Sequence, residues 1–262
     1  MGVLNVTPDS FHADSRTDGI DSALKTVAKM LNEGADWIDV GGESTRPGAE
    51  PVKVSEEKKR VIPIIEAIRK AHPKIAISID TRRPEVAKAA IEVGANLIND
   101  VSGLRDQKMT EIVLSTGVGV CIMHMQGEPE SMQDEPHYSE TRTDVANELL
   151  HRAHNLIEAG HPPDRICLDP GIGFGKRLED NLNLLSDADW IRGPHNLSVL
   201  WGVSRKSMFR DLLNRNETSE RLAGTLGVAA HAQKVGVDIL RVHDVAEHVD
   251  LGRTISELEA RR

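Results

Sequence analysis

A short segment near the middle of the chain combines one carboxylate, three glycines and a lysine in a pattern typical of a ligand site. It reads Leu168-Asp169-Pro170-Gly171-Ile172-Gly173-Phe174-Gly175-Lys176. An aspartate at the end of a buried strand needs a polar partner. Both of its oxygens accept hydrogen bonds when a planar ligand presents two N–H groups side by side. Because glycine also lets the backbone approach a ligand closely, we interpret the segment as a ligand site rather than a structural turn.

Two common phosphate-binding motifs do not fit this segment. A Walker loop requires Gly where Pro170 stands and Ser or Thr after Lys176. The dinucleotide-binding fingerprint requires Gly in place of Lys176. If the ligand is an anion, other cations in the chain must hold it.

The charge balance and the cysteines restrict the partners and the compartment. The chain has 32 Lys and Arg against 41 Asp and Glu, a net charge of −9, so neither nucleic acid nor a membrane surface is an expected partner. No apolar run approaches the ~20 residues of a membrane span, and the N-terminus does not resemble a signal peptide. Cys121 and Cys167 lie in apolar runs without metal-ligand spacing. We expect buried free thiols and a cytoplasmic protein.

Short apolar runs alternate with helical patterns along the whole chain, which predicts a strand–helix repeat. The runs are Gly2–Asn5, Trp37–Val40, Ile75–Ile79, Leu97–Ile98, Gly119–Met123, Ile166–Leu168, Leu197–Leu200 and Ile239–Val242. Eight such units indicate an α/β protein, a single-domain (β/α)8 TIM barrel over residues 1–262. A doubly wound open sheet is the alternative.

Local signals predict where several helices begin and end. We expect Asp21 to cap the first helix and Gly34 to end it, and Pro84 to open a helix that Gly94 closes. Ser219 is expected to cap a later helix. Pro63 lies inside an otherwise helical segment and predicts a kink there.

One six-residue pattern occurs three times and indicates a recurring helix-to-strand junction. The copies are Gly34-Ala35-Asp36-Trp37-Ile38-Asp39, Gly94-Ala95-Asn96-Leu97-Ile98-Asn99 and Gly236-Val237-Asp238-Ile239-Leu240-Arg241. Each copy ends a helix with glycine and delivers a polar side chain to the far end of the next strand.

Polar residues follow the predicted strands, at the barrel face where active sites of this fold lie. They are Asn5, Gly41–Glu43, Asp80, Asn99-Asp100, His124, Asp169, Gly202–Lys206 and Arg241-Val242-His243. Asp and Asn also end strands as ordinary turn formers. Their convergence from several strands favours a site with two parts. Asp80, Asn99 and Asp169 would read a flat, N–H-rich heterocycle, and Arg241, His243 and Arg46 would hold an anion such as pyrophosphate. A nucleophilic Ser204 is a weaker hypothesis, because no histidine is evidently placed as its base.

The chain resembles the dihydropteroate synthase family of folate biosynthesis over essentially its whole length. The matching motifs are Leu4–Phe11, Glu43–Gly48, Ser78–Thr81, Ile98–Val101, Met123–Gly127, Asp169–Lys176, Ser204–Ser207 and Arg241–Asp244. The resemblance implies a transferase that condenses 6-hydroxymethyl-7,8-dihydropterin pyrophosphate with 4-aminobenzoate, releases pyrophosphate and requires Mg²⁺. It also implies a homodimer through outer helices.

The resemblance also implies roles for individual residues. The pterin ring would be held by Asp80, Asn99, Asp169 and Lys206. Asn5 would ligate Mg²⁺, and Arg46, Arg241 and His243 would bind the pyrophosphate. The aminobenzoate pocket would be formed by Thr45, Pro47, Phe11, Phe174, Lys206 and Ser207. The residues expected to take part in catalysis are Asp80, Asp169, Lys206, Arg241 and His243.

The first loop departs from the family pattern, which usually continues Phe-Ser-Asp-Gly-Gly. Here residues 11–19 carry additional polar residues and no glycine pair, and we take Asp14 as the acidic residue of the lid. This departure leaves lid closure and the sulfonamide response open. The chain starts directly on its first strand, so a few residues that seal the barrel bottom in the family are either missing or belong to an upstream start. Two other functions remain: a related methyltransferase that moves a methyl group from a folate to a corrinoid protein, and a non-catalytic pterin-binding paralogue.

Overall fold

The computed structural model describes residues 1–6, 16–43, 52–127, 132 and 136–261, without the side chains of residues 16–18. Eight strands in these residues lie side by side in chain order, and all neighbouring pairs are parallel. The strands are β1 Gly2–Asn5, β2 Trp37–Gly41, β3 Ala76–Asp80, β4 Leu97–Asp100, β5 Gly119–Met123, β6 Ile166–Asp169, β7 Ser198–Trp201 and β8 Ile239–Leu240.

Backbone hydrogen bonds between the last and the first strand close the sheet into a barrel. Val242 N donates to Met1 O at 2.9 Å, and Val3 N donates to Val242 O at 3.0 Å. A doubly wound sheet would have open edges and a reversal of strand order, and neither is present among the described strands. The prediction of a (β/α)8 barrel is confirmed.

Helices on the outside connect the strands, and they are α1 Arg16–Asn32, α2 Val54–Ala71, α3 Pro84–Glu92, α4 Gln107–Thr116, α5 Thr141–Glu158, α6 Leu178–Leu185, α7 Met208–Leu213, α8 Leu222–Lys234 and α9 Val245–Glu259. In the part of the chain that the structure describes, no helix is long and apolar enough to cross a bilayer.

Alternation along the strands separates the helix-facing core from the barrel interior. In β2, Ile38 and Val40 are fully buried in the large cluster that the helices complete. Trp37 instead packs on a second, smaller cluster that contains Leu97, Cys121, Cys167 and Leu200. Since successive side chains of a strand point to opposite faces, we assign the smaller cluster to the barrel interior and place Asp39 on the same inner face as Trp37. The two cysteines are buried and unbridged, as expected.

The structure confirms some of the helix boundary predictions and corrects others. Pro84 is the first residue of α3, and Gly34 and Gly94 follow their helices with φ of +100° and +110°. The prediction for Asp21 was wrong, because α1 begins at Arg16 and Asp21 lies within it.

Ser219 was also predicted wrongly, because it lies inside a 3₁₀ turn over Thr218–Arg221, and α8 starts after that turn. A reciprocal cap between Glu217 and Glu220 begins that turn, two residues before Ser219. The helix α2 continues through Pro63 without interruption.

The repeated junction pattern has a structural explanation at the bottom of the barrel. In the second copy, Asn96 Oδ1 accepts hydrogen bonds from Ile77 N at 3.0 Å and from Arg69 Nη2 at 2.7 Å. Arg69 Nη2 also donates to Gly94 O at 2.8 Å. In the third copy, Asp238 accepts Val199 N at 2.8 Å and Arg192 Nη1 at 2.8 Å. The third residue of the pattern therefore joins the start of one strand to its neighbour, with an arginine as a bridge.

Arg69 is expected to stabilise the fold without taking part in the site at the other end. Its guanidinium also donates to Pro73 O and Ile75 O, both at 2.8 Å. Arg69→Met removes these hydrogen bonds and leaves partly buried acceptors unpaired. We expect a loss of about 1–3 kcal/mol in the free energy of unfolding. Chemical denaturation measures this loss, with the neighbouring exposed Lys70→Met as control. A stability equal to that of Lys70→Met would contradict the bridge.

Candidate active site

A cation between two carboxylates lies in the mouth of the barrel. Arg241, directly after β8, donates from Nε to Asp39 Oδ2 at 2.6 Å and from Nη2 to Asp80 Oδ2 at 2.6 Å. The Asp39 side chain is fully buried, and that of Asp80 is 11% exposed. Burial alone would lower the pKa of Arg241, but the two carboxylates outweigh it and raise that pKa. Burial raises the pKa of Asp80 to about 7, against the opposite effect of Arg241.

Asn99 belongs to the same cluster through Asp39. Its Nδ2 donates to Asp39 Oδ2 at 3.3 Å, and the residue is 3% exposed. Asp80, Asn99 and Arg241 were predicted to share the mouth, and the structure brings them together. The sequence interpretation did not predict that Arg241 would use two of its nitrogens on acids of the site.

Asp39 is the residue of this cluster that the sequence interpretation missed. The signal that pointed to it was the repeated pattern, whose sixth residues are Asp39, Asn99 and Arg241. Hydrogen bonds join these three residues. Asp39 lies two positions before the end of β2, whereas the polar residues predicted to line the mouth follow the strands.

Asp169, at the end of β6, begins the glycine-rich segment. Its Oδ1 accepts Gly171 N at 2.7 Å, and the residue is 6% exposed. Gly171 has a φ of +69°, and a Cβ there would lie 1.8 Å from His124 O, so only glycine fits this turn. Burial raises the pKa of Asp169, while the bond from Gly171 and the charge of Lys206 lower it.

Lys206 and Phe174 meet beside Asp169. Lys206 Nζ lies 4.0 Å from the centroid of the Phe174 ring, a cation–π distance. Burial lowers the pKa of Lys206 to about 8, against the opposite effect of Asp169. The preceding residue, Arg205, has a φ of +56° and is held by Asp244, which accepts its Nε at 2.8 Å. This strained turn directs Lys206 towards the ring.

Lys176, the last residue of the glycine-rich segment, points into the protein. Its Nζ lies 2.9 Å from His124 Nδ1 and donates to Phe174 O at 2.9 Å. His124 Nε2 lies 3.3 Å from Glu148 Oε2 on α5. Burial lowers the pKa of Lys176 to about 7. Lys176 therefore fastens the segment that carries Phe174, a contact that the sequence interpretation did not identify.

Ser204 does have a histidine beside it, which corrects the sequence interpretation. His243 Nδ1 lies 3.0 Å from Ser204 Oγ, and His243 N donates to the same oxygen at 3.2 Å. The hydroxyl can donate to Nδ1 or accept from Nδ1–H, so it holds the ring in either tautomer. The contact orients His243, which is itself exposed.

Asn5 and Ser207 lie at the outer part of the mouth. Asn5 ends β1 and is exposed, next to Gly41 in the register of β2. Ser207 precedes α7 and lines a cavity of about 700 Å³ together with Gly173 and Lys176. That cavity adjoins the Phe174 segment and does not include Asp39, Asp80 or Asn99 in its lining.

Four predicted site residues lie outside the described residues: Phe11, Thr45, Arg46 and Pro47. The same holds for the proposed lid residue Asp14. Among the residues that are described, no group of three or more His, Cys, Asp or Glu side chains is arranged to hold a metal ion.

Comparison with known proteins identifies the family. The sequence model of the family described as "Pterin binding enzyme" matches residues 1–243. The chain is 44% identical over 255 residues to the dihydropteroate synthase of Escherichia coli (strain K12), which covers 97% of this chain and 89% of that protein.

Solved structures show the same relationship. The Yersinia pestis dihydropteroate synthase in complex with a sulfonamide drug superposes with a TM-score of 0.91 at 40% identity, covering 99% of this chain and 94% of that one. The Burkholderia cenocepacia dihydropteroate synthase complexed with 7,8-dihydropteroate gives a TM-score of 0.89 at 42% identity, with 100% and 91% covered. The chain therefore belongs to the dihydropteroate synthase family of pterin-binding enzymes.

Proposed function

We propose that the chain condenses 6-hydroxymethyl-7,8-dihydropterin pyrophosphate with 4-aminobenzoate to give 7,8-dihydropteroate and pyrophosphate. The observation that carries this proposal is the cluster in the mouth, where Arg241 contacts Asp39 and Asp80 and lies near Asp169 and Lys206. Its acids suit a flat ring with several N–H groups, and its cations suit a departing anion. We take residues 1–262 as one such domain, acting in the cytoplasm.

The pterin ring would bind between Asp80, Asn99, Asp169 and Lys206. Asp169 keeps one oxygen for a ligand, because its Oδ1 accepts Gly171 N while no described residue bonds Oδ2. Asn99 donates one N–H to Asp39 and retains its carbonyl oxygen as an acceptor. Lys206 would donate to an acceptor atom on the opposite edge of the ring.

The pyrophosphate would be held by Arg241, His243 and a bound Mg²⁺. His243, whose ring is oriented by Ser204, would donate a ring N–H to the anion. Mg²⁺ prefers oxygen ligands and usually keeps several waters and substrate phosphates with only one or two protein ligands. The exposed amide oxygen of Asn5 fits this role, and the lack of a larger acidic group among the described residues is compatible with it. When bound, the ion would neutralise charge on the departing phosphate oxygens.

The amine of 4-aminobenzoate would approach over Phe174, with its carboxylate towards Ser207 and the adjoining cavity. When the C–O bond to pyrophosphate breaks, positive charge develops on the methylene carbon and spreads into the pterin. The nearby acids stabilise that charge, and preorganised cations stabilise the leaving group. The aniline nitrogen then forms the new C–N bond and loses a proton, so no covalent enzyme intermediate is needed.

The two other hypotheses differ in what they require of the cations. A methyltransferase acting on a folate has no use for a cation and an oriented histidine beside the ring acids. A non-catalytic paralogue is motivated only by the first loop, which lies outside the described residues.

We also propose a homodimer that packs through outer helices. Leu212 and Leu213 at the end of α7, 43% and 45% exposed, offer apolar surface for it, and sedimentation equilibrium measures its mass.

Pyrophosphate release with both substrates tests the proposed function directly. We expect release only when pterin pyrophosphate, 4-aminobenzoate and Mg²⁺ are all present, and a slower rate when a sulfonamide competes with 4-aminobenzoate. Pterin binding in a calorimeter without any turnover would contradict the proposal and favour the paralogue. Methyl transfer from a folate would favour the methyltransferase.

Removing a preorganised charge from the ring site is expected to slow the reaction strongly. We expect Asp169→Asn and Lys206→Ala each to lose at least ~100-fold in turnover, the scale found when such a group is deleted. Steady-state kinetics measures the loss, with Lys234→Ala on the exposed end of α8 as the control. Turnover close to wild type in either site variant would count against the assignment.

The pKa values of Asp80 and Lys206 predict a bell-shaped pH profile for kcat/KM of the pterin substrate. As the pH falls through about 7, Asp80 takes up a proton and loses an acceptor for the ring. As the pH rises through about 8, Lys206 loses its charge. Lys206→Arg is expected to remove the alkaline limb, even if the rate falls, because arginine stays protonated. An unchanged alkaline limb in that variant would show that another group titrates there.

A further inference from the structure

We propose that Asp39 is a positioning residue whose carboxylate fixes both the Asn99 amide and the Arg241 guanidinium in the orientation that the pterin substrate needs. The inference rests on the proposed function, because it assigns Asp39 a part in binding the same substrate. Asp39 contacts neither substrate in this proposal and acts through its two partners.

One oxygen of Asp39 serves both partners. Oδ2 accepts Arg241 Nε at 2.6 Å and Asn99 Nδ2 at 3.3 Å. Arg241 directly follows β8 and Asn99 lies in β4, while Asp39 lies in β2. Three positions around the barrel are therefore tied to one atom. The other oxygen, Oδ1, is buried and has no hydrogen-bond partner among the described residues.

Asp39 determines which way the Asn99 amide faces. The amide nitrogen must face the carboxylate, because the reverse orientation would place two acceptor oxygens against each other. The carbonyl oxygen of Asn99 therefore faces away from Asp39, where it is available to an N–H of the ring. Without the carboxylate, both amide orientations would be accessible, and only one of them presents an acceptor to the ligand.

Asp39 also fixes the plane of the Arg241 guanidinium. Bonds from Nε to Asp39 and from Nη2 to Asp80 hold the group from two neighbouring strands. A long arginine side chain loses substantial rotamer entropy when it is ordered, so an arginine that is already held loses less on binding its ligand. Buried ion pairs often add little to stability, because taking the charges out of water is costly. We therefore attribute to the Arg241–Asp39 pair the function of orienting the guanidinium rather than that of stabilising the fold.

The charge of Asp39 also acts on Asp80, which provides a second readout. The two carboxylates share one cation, and the repulsion from Asp39 contributes to the raised pKa of Asp80, after the larger effect of burial. Replacing Asp39 by a neutral residue should therefore lower the pKa of Asp80. The acid limb of the pH profile would move to lower pH, and further than in a variant that removes the weaker repulsion from Asp100. The remaining charges that act on Asp80, Glu57 and Arg241, stay in place in both variants.

The test is Asp39→Asn in the full chain, compared with Asp100→Asn as a matched control. Asp100 is also a fully buried strand carboxylate, but it bonds Ser102 N and Leu104 N in its own loop, both at 2.8 Å. For Asp39→Asn we expect KM for the pterin pyrophosphate to rise at least ~10-fold, the order expected when a site group is misplaced. KM for 4-aminobenzoate should change less than about 2-fold, and the acid limb should move to lower pH. For Asp100→Asn we expect a lower melting temperature, unchanged KM values and a smaller move of the acid limb, because the repulsion of Asp80 by Asp100 is weaker than that by Asp39.

The opposite result is equally clear. If Asp39→Asn lowers the melting temperature, leaves the pterin KM unchanged and moves the acid limb no further than Asp100→Asn does, Asp39 is structural only and the proposal fails. If wild-type protein releases no pyrophosphate, the proposed function fails instead, and calorimetric binding of the pterin substrate to Asp39→Asn still tests the orientation.

A measurement on wild-type protein covers the case in which Asp39→Asn does not fold. The Nε–H of Arg241, assigned in a ¹⁵N spectrum by its loss in Arg241→Lys, is expected to exchange slowly with solvent. It should remain slow after inorganic pyrophosphate is added, because the bond to Asp39 is kept in the loaded site. Exchange as fast as that of exposed arginines, in either state, would overturn the proposal.

Discussion

Two carboxylates in the mouth of the barrel share one cation, the guanidinium of Arg241. Its side chain is only 21% exposed, so it needs acids beside it, and those acids need the cation to stay ionised. Asp39 and Asp80 meet this requirement from two adjacent strands, each at 2.6 Å. The arrangement aligns Asn99 as well. Burial in it raises the pKa of Asp80 to about 7, against the opposite effect of Arg241. Ring recognition and anion binding therefore depend on one shared set of bonds.

The repeated helix-to-strand junction connects this site to the stability of the barrel. Its third residue, in two copies, joins neighbouring strands at the bottom through Arg69 or Arg192. Its sixth residue, in all three copies, reaches the cluster in the mouth. Three residues of extended chain span about 10 Å, roughly the depth that separates these two levels of the barrel. One short pattern thus contributes to folding at one end and to ligand recognition at the other.

The mouth is locally rich in cations although the chain as a whole is acidic. Lys206 and Arg241 lie close to Asp169, and Lys176 is buried behind the same glycine-rich segment. Burial lowers the pKa of both lysines, so part of their charge depends on the acids beside them. Net charge argues against nucleic acid as a partner, but it carries no information about the charge inside a cleft. The positive φ of Arg205, a non-glycine residue, shows that backbone strain accompanies this concentration of groups.

The sequence by itself determined the elements of this protein and the end of the barrel at which Asp80, Asn99, Asp169 and Arg241 lie. Hydrophobic periodicity and strand-end polarity are local properties, so they can be read from one chain. Only the tertiary structure decided which side chains meet: the bonds of Asp39, the Ser204–His243 contact, and the inward direction of Lys176 towards His124. The tertiary structure also shows that Asp21 lies inside a helix and Ser219 inside a 3₁₀ turn, so neither is the predicted helix cap. The physical reason is closure, because Arg241 and Asp39 are 202 residues apart and become neighbours only when eight strands complete the barrel in register.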